Sequence, residues 1–163
     1  MEKISKYVSY KEVTYSSTAI KHNIDNSPDD VQLANIKLCA EKVFDPLREW
    51  VNGQVMITSC FRSVALNKRI GGENSSQHLA NNGAAFDIDD TFGHKSNKEM
   101  FFHVLDKLDF DQLIWEYGTD DNPNWIHASY KKTENRKEVL RAKKINDLTV
   151  YIMLSASELE KLR

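Results

Sequence analysis

The sequence predicts an α+β fold built around a small antiparallel sheet. From Asp29 to Val51, Leu33, Ile36, Ala40, Val43, Phe44, Leu47 and Trp50 recur at three- and four-residue steps, the period of a buried helix face. Short segments rich in β-branched and aromatic residues, Val55 to Thr58, Ala84 to Ile88, Gln112 to Tyr117, Trp125 to Tyr130 and Asp147 to Leu154, read as strands. The polar stretch Gly118 to Asn124, with Pro123, joins two of these strands as a hairpin with a long loop.

Taken in order, Ser9 and Glu12 form a capping box that opens a short helix, and Tyr10 to His22 is compatible with one. Asn23 to Pro28 is turn-rich. Pro46 should kink or split the long helix that follows, and Asn52-Gly53 should close it. Ser63 to Ile70 reads as a short helix and Gly71 to Ser75 as a loop able to border a site. Ser96 and Glu99 form another capping box, starting a helix with Phe101, Phe102, Leu105 and Leu108 on one face. Lys131 to Lys144 carries many Lys and Arg residues and reads as a solvated face. Asp147 to Leu154 ends the sheet, and Ser155 with Glu158 caps a last short helix.

Composition narrows the function classes. The chain has 163 residues, 40% hydrophobic and 28% charged, which suits one domain over 1–163 with its own core. A net charge of -2 removes the whole-chain electrostatic case for a nucleic-acid partner. No apolar run is long enough to span a bilayer. Met1 to Lys6 lacks the apolar core of a signal peptide, so the expectation is synthesis in the cytoplasm. A monomer is the default expectation. Cys39 and Cys60 do not make a metal-type pair; Cys39 is expected to pack as a small hydrophobe, with no disulfide between them.

The chemistry concentrates in Ser76 to Asp90. Ala84 to Ile88 is apolar apart from Asp87, and a carboxylate in such a strand needs a partner, hydrogen bonds or a metal. His78 lies nine positions before Asp87, across a loop rich in Asn and Gly. His127, in an alternating segment, shares a strand face with Trp125 and Ser129. Two imidazoles and one carboxylate suffice for a zinc site with one position left for water. The competing reading is ordinary: a packed or surface histidine and a turn-capping aspartate. His22, His94 and His103 read as solvent-side or packing residues.

Several ordered motifs resemble those of zinc D-alanyl-D-alanine carboxypeptidases of the VanY and hedgehog-like superfamily, in its phage-type peptidase branch. Ser76-Gln77-His78 followed by Gly83-Ala84-Ala85-Phe86-Asp87 is similar to the pattern Ser-x-His-x-x-Gly-x-Ala-x-Asp, with the gap after histidine two residues longer. Trp125-Ile126-His127 resembles the last ligand motif. Ile57-Thr58-Ser59-Cys60-Phe61-Arg62-Ser63 resembles a Thr-Ser-Gly-Tyr-Arg-Ser turn, with Cys60 and Phe61 in place of glycine and tyrosine. Asn67, Gly71-Gly72 and the run Asp111 to Glu116 also match, so the resemblance covers about residues 10–142 and leaves a C-terminal strand and short helix over 147–163.

The resemblance implies helices packed on one side of the sheet, one Zn2+ ion on His78, Asp87 and His127, and hydrolysis of peptidoglycan stem peptides, as a carboxypeptidase or an endopeptidase of endolysin type. It further implies a protein acting on the cell wall and suits phage encoding. Arg62 is then expected to fork onto a substrate carboxylate. Ser76 and Gln77 are expected to bind substrate or a ligand's second nitrogen. Many relatives carry glutamate three residues before the last histidine; here Asn124 stands there and cannot act as a base. Glu116, on the neighbouring strand, is the expected base, with Asp120 and Asp121 in reserve. The missing glutamate keeps a rival open: a non-catalytic zinc-binding structural or interaction domain of the same fold.

Overall fold

The helices of this protein lie against one face of a mixed sheet and leave the other face to the site. The computed structural model describes residues 2–163. Its six strands are β1 (Met56–Ser59), β2 (Ala84–Asp89), β3 (Gln112–Glu116), β4 (Trp125–Tyr130), β5 (Glu138–Ile145) and β6 (Leu148–Met153). Their order across the sheet is β1-β2-β4-β3-β5-β6. The α+β class is as expected, but the sheet is larger than expected. Every neighbouring pair is antiparallel except β3 and β5, which run parallel.

Alternation along the strands sorts the side chains. Phe86, Ile88, Leu113, Trp115, Ile126 and Ala128 are fully buried and face the helices. Asp87, Ile114, Glu116, Trp125, His127 and Leu140 all border a cleft on the opposite face.

The helical layer begins with α1 (Tyr10–Thr14) and α2 (Ser17–His22). The stretch Tyr10 to His22 is thus two helices, because Tyr15 is extended and Ser16 caps afresh, accepting from Ala19 N at 3.2 Å. The Ser9–Glu12 capping box forms as expected. The long helix is split as Pro46 requires: α3 (Asp30–Cys39), a π-helical stretch Ala40–Phe44, then α4 (Asp45–Val51) with Pro46 in its first turn. The widened turn accommodates a residue with no N–H to return to the preceding turn. Asn52 closes α4 in the left-handed conformation, φ 53°, where Asn is tolerated.

α5 (Val64–Arg69) and α6 (Asn97–Lys107) start at Ser63 and Ser96, each of which accepts from the third helical N–H. α7 (Ala156–Leu162) ends the chain on the Ser155–Glu158 box. Phe44 stacks on Phe86 with ring centres 5.4 Å apart, and Phe101 meets Trp115 edge-on at 5.3 Å, joining helices to sheet.

The charged run departs from expectation. Glu138 to Ile145 forms β5 beside β3, and Arg141 within it is buried, paired with Asp120 at 2.5 Å. Only Val139, Leu140 and Ala142 supply apolar contact among its charges, so its sequence does not read as a strand. Lys143 and Lys144 are exposed, as a solvated face requires. Both cysteines are free and buried; burial pushes both thiols up. Among the described residues, no helix is long and apolar enough to cross a membrane.

Candidate metal centre

The site begins with a ladder pairing. Asp87 on β2 and His127 on β4 are direct cross-strand partners, so both side chains rise from the same face. His127 Nδ1 lies 3.0 Å from Asp87 Oδ1. His78 arrives from a 3-10 turn, Gln77–Leu79, capped by Ser76, whose hydroxyl accepts from His78 N at 3.3 Å. Its Nε2 lies 3.3 Å from Asp87 Oδ2. The loop Ala80 to Gly83 absorbs the extra residues after His78 by turning twice: Ala80 has φ 57° and Gly83 φ 144°. At Gly83 a Cβ would stand 2.7 Å from Tyr130 O, so only glycine fits.

His78, Asp87 and His127 are buried, and one donor atom from each lies within 4.8 Å of the others. The hydrogen bonds around them show what the arrangement holds. His78 Nδ1 donates to Cys60 O at 2.6 Å, which leaves a lone pair on Nε2 facing Asp87. His127 Nε2 lies 3.2 Å from Gln77 Oε1 and donates to it, which leaves a lone pair on Nδ1. With each imidazole neutral, two lone pairs and a carboxylate face one another, an arrangement that a metal cation satisfies. Two nitrogens and one oxygen are the donor set of a hydrolytic zinc site, so these residues fit the ion. Without an ion, burial alone would raise the Asp87 carboxyl, but the charge and hydrogen bonds of His78 and His127, when protonated toward it, outweigh burial and hold it well below the usual carboxylate range; a bound cation takes the place of those protons.

Arg62 stands at the edge of this centre. Its Nη2 bonds Asp87 Oδ2 at 3.2 Å and Ser59 Oγ at 3.0 Å, and its Nε bonds Ser59 Oγ at 3.1 Å. The anticipated fork is thus engaged inside the protein through Nε and Nη2, and Arg62 also lines the cleft. Ser76 also borders the cleft, but its hydroxyl serves the turn that carries His78.

Glu116 lies opposite Trp125 in the β3–β4 ladder and so on the same face as His127. It borders the cleft yet is only 6% exposed. Burial, with Asp87's charge nearby, pushes its carboxyl up to about 7, against the opposing pull of His127 and Arg62. Asn124 is exposed, its N–H bound to Glu116 O at 2.9 Å. Asp120 and Asp121 are exposed in the hairpin loop, Asp120 turned onto Arg141 and away from the centre.

The cleft is about 680 Å³. Sequence reading missed its far wall, where Leu140, Thr149 and Tyr151 of the β5–β6 hairpin continue the floor beyond Glu116. Tyr117 Oη and Thr149 Oγ1, 2.9 Å apart, tie that wall to β3. The two-residue alternation of Thr149 and Tyr151 was the available signal. The other histidines stand apart: His22 beside Arg69, His94 against Gly53, His103 stacked on Trp50 at 4.1 Å.

Fold and site together describe an α+β protein with a candidate metal centre of His78, Asp87 and His127 beside a buried carboxylate of raised pKa. Residues 6–129 match the family Peptidase M15, and the chain belongs to that family. No curated protein matches the chain. Membership supports a peptidase and implies a metal, typically zinc.

Proposed function

We propose that this protein is a zinc-dependent peptidase that hydrolyses peptidoglycan stem peptides, as a D-alanyl-D-alanine carboxypeptidase or a related endopeptidase. The observation that carries the reading is the convergence of two imidazole lone pairs and Asp87 on one point, beside Glu116 in the same cleft. His78 Nε2, Asp87 and His127 Nδ1 would hold the ion. Zinc bound there supplies Lewis acidity, which lowers the pKa of water and polarises a carbonyl.

The remaining work falls to the chain. Glu116, whose carboxyl burial raises in the ion-free protein, would take a proton from the attacking water on one of its oxygens and deliver it to the departing amine nitrogen. The carbonyl carbon gains the water oxygen and loses the amine. Arg62 Nη1 meets the substrate's terminal carboxylate while Nη2 steadies Asp87. Leu140 and Tyr151 give the peptide an apolar wall. Action at the cell wall, phage encoding and a monomeric state extend the same proposal.

Asn124, where relatives place glutamate, favours a second reading, a zinc-binding domain without catalysis. Glu116→Gln decides between them. Under the peptidase reading the variant keeps zinc and loses turnover on a D-Ala-D-Ala peptide or purified wall. Zinc binding with no cleavage by the unaltered protein supports the second reading.

A further inference from the structure

The chain segment after β4 crosses the start of β3 before pairing with it, and Asp111 sits under that crossing. Asp111 is fully buried. Arg136 reaches it from the crossing segment, Nη2 to Oδ2 at 2.7 Å and backbone N to Oδ1 at 2.9 Å. Lys131 Nζ lies 3.1 Å from Oδ1. Although burial alone would raise the Asp111 carboxyl, Arg136 and Lys131 hold it below its ordinary value. An ionised carboxylate accepts hydrogen bonds and donates none.

One more donor reaches Asp111. Gln77 Nε2 bonds Oδ2 at 2.7 Å. A carboxamide has distinct ends, so placing its NH2 on Asp111 turns Oε1 toward His127 Nε2, 3.2 Å away. An acceptor there calls for the His127 proton on Nε2, so that an ion held beside Asp87 can take the Nδ1 lone pair. We propose that Asp111, clamped by Arg136 and Lys131, is a positioning residue that fixes the Gln77 amide and, through it, the tautomer and ring orientation of His127. The proposal rests on the metal-site reading above. Arg136 and Lys131 lie beyond the family-matched residues 6–129, so chain past that match helps set the metal centre.

A structural role for Asp111 alone makes a different prediction. Glu138 N also bonds Asp111 O at 3.0 Å, so Asp111 anchors the crossing segment whatever Gln77 does. A double-mutant cycle on zinc affinity, measured by competition with a chromogenic chelator, separates the roles. Asp111→Asn and Gln77→Leu should each weaken zinc binding by about 10- to 100-fold, the usual cost of losing a ligand's supporting hydrogen bond. In the Gln77→Leu background, Asp111→Asn should add nothing. Equal losses in both backgrounds would overturn the proposal.

If Asp111→Asn fails to fold, Arg136→Met replaces it, since that side chain is 47% exposed. It should weaken zinc binding several-fold with Gln77 present and not in the Gln77→Leu background; equal weakening in both overturns the proposal. Imidazole 15N shifts of the metal-free Asp87→Ala protein, where no carboxylate competes for the Nδ1 proton, give a readout that needs no zinc. In that background His127 should carry its proton on Nε2 and lose that preference when Gln77→Leu, or Asp111→Asn or Arg136→Met, is added. A proton on Nδ1 in the Asp87→Ala protein would sink the relay. An unaltered protein that binds no zinc, with the expected shifts in the Asp87→Ala background, would overturn the metal reading and leave the relay standing.

Discussion

Glu116 and Trp125 are partners across the β3–β4 ladder, and that pairing sets a buried carboxylate on the face that carries His127. If Glu116 is the base, as proposed above, the position three before His127 is dispensable, because a neighbouring strand delivers the acid. Glu116→Gln should keep one zinc per chain and lower kcat by about 10²- to 10⁴-fold, the usual contribution of a positioned base. Steady-state hydrolysis with metal analysis on the same sample checks this.

The same carboxyl makes folding stability depend on pH. Its value rises from 4.5 to about 7 in the fold. A raised carboxyl contributes stability that is complete below the unfolded value and lost as pH climbs through the folded one. Glu116→Gln carries no charge at any pH. In metal-free protein, the variant's stability relative to the unaltered chain should grow by on the order of 2–3 kcal/mol from pH 4 to pH 8. Urea denaturation at both pH values checks this, and a constant difference would place the carboxyl in water.

Arg62→Lys separates the carboxypeptidase reading from the endopeptidase one. Lysine's donors all sit on one nitrogen, so it cannot span Ser59, Asp87 and a substrate carboxylate as the planar guanidinium does. If the terminal carboxylate is bound there, kcat/KM on a peptide with a free C-terminus should fall by about 10- to 100-fold, the worth of a charge-assisted hydrogen bond. The same peptide with an amidated end should lose less. Equal losses on both would mean that Arg62 serves Asp87 alone.

Trp115 tests the scaffold independently of the chemistry. It is fully buried, edge-on to Phe101, with its indole N–H on Thr119 O at 3.0 Å. Trp115→Ala should cost about 3–5 kcal/mol of stability, as expected for an aromatic lost from a packed core. Denaturant unfolding of the metal-free protein measures it.

What the sequence disclosed depended on contrast with its surroundings. Asp87 and His127 were legible because each interrupts a short apolar strand, and a buried polar group there demands a partner. Glu116 followed from the resemblance, which carries an acid there, and from its place on the strand neighbouring His127. β5 was illegible because its inward residues are few and stand among Lys and Arg, of which Arg141 is nonetheless buried along its long stem. Asp111 was quoted in a motif yet given no role, since Gln77 and Arg136 lie 34 and 25 positions away. Its signal was a carboxylate directly before an apolar strand. The engagement of Arg62 with Asp87 was hidden for the same reason: a contact 25 positions apart leaves no trace in local pattern.

Zinc titration of the metal-free protein, beside the Asp87→Ala variant, tests the central claim most directly. The account predicts one tightly held ion per unaltered chain and its loss in the variant, with hydrolysis abolished by a chelator and restored by zinc. An ion bound equally well without the Asp87 carboxylate, or cleavage that survives complete removal of metal, would contradict it.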